Sequence, residues 1–187
     1  MNLPPPARRK HKFTRAINCE GYQREDGLWD IEVRLLDTKP FRYREPIRGV
    51  REPGEAVHDM ALRLTVDTDM IVRDVEVAMR AFPYAPCTSV VPAFKKLIGR
   101  TIGAGWRRAV QECVGGAKGC THLRELLVPA ATVAFQAMSW PEEGMPEPPS
   151  SADHAAERPL FVDGCKAWAS DGEIVATFYP QFHRKHA

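Results

Sequence analysis

No run of about 18 apolar residues, the length a membrane-spanning helix needs, occurs in these 187 residues. A helical membrane protein is therefore excluded. The N-terminus is rich in proline and basic residues and has no apolar core, so it does not read as a secretory signal. Cysteine is scarce and odd in number: Cys19, Cys87, Cys113, Cys120 and Cys165, five scattered positions. That excludes a regular disulfide framework and leads us to expect reduced thiols in a cytoplasmic protein. Strong charge of one sign is missing as well. The formal net charge is +2, with the excess gathered in Arg8-Arg9-Lys10-His11-Lys12. So short a basic run reads as a solvated, flexible arm over residues 1–14, and no nucleic-acid partner is expected. There is no CxxC, no HExxH and no phosphate-loop glycine pattern. Gly103-Ala-Gly105 lacks the preceding strand and the third glycine of a dinucleotide loop.

What is present is ordinary for a globular chain: 44% hydrophobic and 27% charged residues. The length suits one compact domain with appendages. Leu28 to Asp37 alternates, with Trp29, Ile31, Val33 and Leu35 on one face and Asp30, Glu32 and Arg34 on the other, which predicts a half-buried strand. A Pro- and Arg-rich connection follows. Alternation then returns: His58, Met60, Leu62, Leu64 and Val66 share one face, Asp59, Ala61, Arg63, Thr65 and Asp67 the other. Asp67-Thr-Asp69 is turn chemistry, and Met70 to Met79 reads as a third strand.

The period then changes. Thr88 or Ser89 can cap a short helix with Pro92 in its first turn, ended by Gly99. A second helix is expected over about 102–114, stopped by Gly115-Gly116. A third runs from about Cys120 to Met138, with Pro129 bending it. Residues 141–159 form a Pro-rich linker. Asp163-Gly164 and Asp171-Gly172 suggest a closing β-hairpin in 160–187. The expectation is an α+β domain over 15–140: an antiparallel three-stranded meander packed by three C-terminal helices, with the hairpin and tail belonging to the same domain.

Few residues here can carry chemistry. His58 sits on the apolar face of its strand, and a buried imidazole needs partners. It is either a core histidine satisfied by backbone or carboxylate, or a metal ligand or general base. Asp59 follows at once, and both can serve one site only if the strand starts or bulges there. Cys120 opens a helix, where a thiol pKa is lowered; a small buried cysteine is the plainer reading. His122 lies two positions on, so it faces Cys120 only if Cys120 lies at or before the cap. Cys87 sits in the rigid turn Pro83-Tyr-Ala-Pro-Cys87, between the last strand and the first helix. Arginines crowd the N-terminal half (Arg15, Arg24, Arg42, Arg44, Arg48, Arg51, Arg63), and their forks suit anions or ion pairs.

The strings Gly21-Tyr-Gln-Arg-Glu-Asp-Gly-Leu-Trp-Asp-Ile-Glu32, His58-Asp-Met60, Arg63-Leu-Thr-Val-Asp67, Gly119-Cys-Thr-His-Leu123 and Ala134-Phe-Gln136 resemble a bacterial family known as domain of unknown function 2889. The likeness spans about 15–180. It implies an origin among bacteria that degrade aromatic or steroid compounds. The middle of the chain also resembles, more distantly, the NifU-like iron–sulfur scaffold proteins. There His58 falls near the first cysteine of that family, Asp59 near its aspartate, Cys87 near its second cysteine and Cys120 on its third. Gly99-Arg100 stands near its Gly-Lys. The resemblance implies a metal set of His58, Asp59, Cys87 and Cys120. A histidine in place of a thiolate suits zinc or a single iron better than a transferable cluster.

Three functions follow as expectations. The first is a small cytoplasmic enzyme, a lyase or hydrolase acting on a small, perhaps aromatic, substrate through His58, Asp59 and Cys120, with or without zinc or iron. The second is a noncatalytic zinc- or iron–sulfur-binding NifU-like protein. The third is an interaction module whose cysteines are core. A homo-oligomer is compatible with all three.

Overall fold

In a computed structural model, residues 3–139, 158–159 and 161–184 are described. The chain divides into two compact units, 1–139 and 140–187. The first is mixed α+β, built on a four-stranded antiparallel sheet in the order β1-β2-β5-β6. Its strands are β1 (Thr14–Gln23), β2 (Trp29–Thr38), β5 (Ala56–Val66) and β6 (Val72–Ala81). A small ribbon of β3 (Tyr43–Glu45) and β4 (Gly49–Arg51) fills the β2–β5 connection.

The alternating faces form as expected. Ile31, Val33 and Leu35 of β2 and Met60, Leu62 and Leu64 of β5 are buried, each 3% exposed or less. They pair in register, Ile31 with Leu64, Val33 with Leu62 and Leu35 with Met60. Side chains paired across antiparallel strands share a face, so these rows make one continuous apolar floor. The turn after β5 is held by Asp67, whose Oδ1 accepts the N–H groups of Asp69 at 3.0 Å and Ile71 at 2.9 Å.

The extra strand, β1, lies at the edge and is exposed over nearly all its length. Its sequence carries no clean alternation: the inward positions are Arg15, Ile17, Cys19 and Gly21, of which only Cys19 is even partly buried. Gly21 is the exception that matters for packing. A Cβ there would lie 2.8 Å from the Cβ of Ala137, so the glycine lets a helix settle directly onto the strand.

That helix is α2 (Thr121–Ser139), which buries Leu123, Leu126, Leu127, Ala130 and Ala134. The second helix, α1 (Trp106–Val114), buries Trp106, Val110, Cys113 and Val114. The Trp106 indole N–H donates to the Leu127 carbonyl at 2.9 Å and ties α1 to α2. The stretch expected as a first helix is a 3-10 segment, Ala85–Leu97. Pro92 in its middle cannot supply the N–H an α-helix requires there.

In the second unit the described residues hold no strand, so the expected closing hairpin is corrected to turns followed by a short helix, α3 (Glu173–Phe178). Asp163, at φ 63°, accepts the Ser170 N–H on Oδ1 at 2.7 Å and closes a compact loop. Phe161, Trp168 and Tyr179 then cluster, with ring centroids 4.6–6.0 Å apart. Asp171-Gly172 leads into α3 rather than reversing a strand. The linker expected at 141–159 lies outside the described residues except for its last two positions.

Candidate active site

The apolar floor ends in a polar row. Register carries Arg15 of β1 opposite Asp37 of β2, and Asp37 opposite His58 of β5. All three therefore point to the helix side of the sheet, in the phase occupied elsewhere by Leu35 and Met60. Asp37 is fully buried and His58 is 9% exposed. Burial of a carboxylate demands full compensation, and Asp37 has it. Arg15 donates through Nε to Oδ1 and through Nη2 to Oδ2, both at 2.8 Å. His58 Nδ1 donates to Oδ2 at 2.9 Å.

Burial pushes the Asp37 carboxyl up. The hydrogen bonds from Arg15 and His58, with their charges, outweigh it and hold the group below the ordinary carboxylate range. An ionised carboxylate only accepts, so the His58 hydrogen resides on Nδ1. Its Nε2 has no hydrogen-bond partner among the described residues. A bulge helps to aim the ring: the register shifts between Asp37 and Thr38, leaving Val57 as the extra residue beside His58.

The fourth member comes from α2. The His122 ring stacks on the His58 ring, with centroids 3.8 Å apart and planes inclined by 32°. Burial lowers the His122 pKa first, and the nearby His58 and Arg15 lower it further. His122 is thus held neutral, able to take a proton. The Cys120 carbonyl accepts the Arg124 N–H at 2.9 Å, so α2 begins at Cys120. Because Cys120 sits at the cap, its Sγ comes within 3.8 Å of His122 Nδ1 despite the two-residue spacing. Arg15 reaches onward through Nη1 to Glu125 of α2, at 3.1 Å, and locks the helix start over the row.

Ligand atoms of Asp37, His58 and His122 lie within 4.8 Å of one another, a spacing that could gather around a metal. Of the expected metal set only His58 belongs to this group: none of Asp59, Cys87 and Cys120 joins any such group among the described residues. Asp59 lies on the opposite face of the sheet, where Arg34 donates to both its oxygens at 2.9 Å and holds its carboxyl below the ordinary range. Cys87 lies in the 3-10 segment, its N–H bonded to the Tyr84 carbonyl at 3.0 Å.

The sequence alone singles out neither Asp37 as a site residue nor the role of Arg15, and it links His122 only to Cys120. For Asp37 the signal was present: it continues the apolar phase of Ile31, Val33 and Leu35 just as His58 continues that of Met60 and Leu62.

A family model matches residues 13–136, which include the whole row, His122 and Cys120. The chain belongs to a family of proteins of unknown function, DUF2889. No curated protein and no solved structure matches it. No described helix is long and apolar enough to cross a membrane.

Proposed function

We propose that this chain is a small-molecule enzyme of lyase or hydrolase type, working by proton transfer at His58. The observation that carries this reading is the Asp37–His58 hydrogen bond, 2.9 Å long and buried, with Arg15 closing the far side of the carboxylate. Such an arrangement fixes the tautomer and the ring, and leaves Nε2 as the general base. Asp37 and Arg15 are positioning residues. His122, held neutral beside it, is a second proton acceptor. Cys120 is the nucleophile available to a hydrolytic version of the chemistry, and the expected substrate is a small molecule, aromatic compounds included.

Arg15 occupies both oxygens of Asp37, which makes this carboxylate a poor first ligand for a cation. That favours acid/base chemistry without a metal. The second reading, a zinc- or iron-binding protein of NifU-like character, is supported by the 4.8 Å grouping of ligand atoms. In that case His58 and His122 would hold the metal together with Asp37, the three residues of that grouping. The cytoplasm remains the expected location for either.

The test is turnover of a panel of small esters, thioesters and β-hydroxy acids, aromatic members included, by chelator-treated protein. The proposal expects one class to be consumed and His58→Ala to lower its kcat by about 100-fold or more. Stoichiometric zinc or iron in untreated protein, lost together with any activity on chelation, would favour the metal reading instead.

A further inference from the structure

We infer that β1 is the seam of a homodimer, in which β1 of one copy pairs antiparallel with β1 of a second. This strand is an open edge. Its register with β2 runs unbroken for ten residues, from Thr14 opposite Thr38 to Gln23 opposite Trp29. Among the described residues, its outward backbone N–H and C=O groups find no partner.

Apart from two charges, Glu20 and an Arg15 turned inward onto Asp37, the strand carries little of the usual protection of an edge. It has no proline, no lysine and no bulge, and it shows solvent two large apolar side chains, Ile17 at 45% and Tyr22 at 47%. Edges of this kind recruit another strand. The opposite edge is covered at the start of β6. There Val72 donates to the Arg100 carbonyl at 2.9 Å and accepts from Gly99 at 2.8 Å, while Ile71 bridges Thr101.

A second copy is the occupant the geometry favours. Antiparallel pairing of a strand with itself is two-fold symmetric, so one contact closes both edges. The helices fit as well. Helix α2 rests on β1 at Gly21 and also packs on β2. A seam on β1 would set the two α2 axes about two strand spacings apart, roughly 10 Å, the distance at which helices pack. Glu125, which meets Arg15 of β1, shares a helical stripe with Thr132 and Gln136, all exposed. Thr132 and Gln136 are uncharged and leave room for a neighbouring helix. The seam would also pass Arg15, whose side chain is 31% exposed, and so cover the open flank of the Asp37–His58 row.

Light scattering coupled to size exclusion, together with amide hydrogen exchange over residues 14–23, tests this. The proposal expects twice the chain mass and protected outward amides in β1. Ile17→Lys should halve the mass, release that protection and leave the melting temperature within a few degrees. Should Ile17→Lys fail to fold, Asn18→Asp, exposed on the other face, serves in its place, since it sets like charges together across the seam. A monomer overturns the proposal, whether β1 is unprotected or covered by the chain's own C-terminal segment. A dimer indifferent to both substitutions overturns it too, because its interface lies elsewhere.

Discussion

Asp37 Oδ2 accepts a hydrogen bond from His58 Nδ1 at 2.9 Å, across two central strands and at full burial of the carboxylate. The pair occupies the last row of an otherwise apolar sheet face. Two strong β-strands therefore hold it in place, with Arg15 supplying the countercharge from a third.

Removing that countercharge should be expensive. Arg15→Leu leaves a buried carboxylate with only a histidine to stabilise it, a change expected to cost up to about 3–5 kcal/mol. Arg34→Leu breaks a fork on Asp59 of the same length on the solvent side, and is expected to cost under about 1 kcal/mol. Urea denaturation of the two variants gives the comparison directly.

Acidification should loosen the fold in two stages. The His122 pKa is lowered in the folded state, so below its ordinary value near 6.5 the unfolded chain takes up this proton first and stability falls. The Asp37 carboxyl is also lowered. Its contribution is complete above about 3.9 and is lost as pH falls through the depressed folded value. Thermal melts from pH 8 to pH 4 should show the first loss beginning below about pH 6.5, and His122→Asn should flatten that part of the profile.

Gly21 should tolerate no branched side chain. Its built Cβ already meets Ala137 at 2.8 Å and Val133 at 3.4 Å, so Gly21→Val must lift α2 from the sheet. Overpacking of this kind costs typically about 1–3 kcal/mol, and calorimetry of the variant measures it. A melting temperature equal to that of the native chain would show that α2 does not rest there.

Much of the architecture was legible because it is periodic. Ile31, Val33 and Leu35, and Met60, Leu62 and Leu64, declared their strands by alternation, and Leu123, Leu127, Ala130 and Ala134 declared α2. The edge strand β1 was not legible: at the sheet's edge its inward positions stay exposed apart from Cys19, and Gly21 replaces an apolar side chain where α2 sits closest. Asp163-Gly164 and Asp171-Gly172 have the residues of hairpin turns, but no alternating run separates them, and the Asp163 carboxylate closes a loop instead.

For the site, local spacing was informative and long-range pairing was hidden. His58 was visible as a polar residue in an apolar phase. Its partner was sought at Asp59, the next residue, although successive residues on a strand face opposite sides. The partner is Asp37, 21 positions away in sequence and one strand away in space. Arg15 could not be told from the other arginines until β1 was paired. His122 emerged only because Cys120 sits at the cap of α2, which turns the next helical turn toward β5.

Nitrogen-15 NMR of the histidine side chains tests the central claim most directly. The account predicts that in metal-free protein His58 carries a hydrogen on Nδ1, directed at Asp37, and that Asp37→Asn abolishes this fixed arrangement. A His58 ring protonated on Nε2 and bare on Nδ1, unchanged by Asp37→Asn, would contradict it.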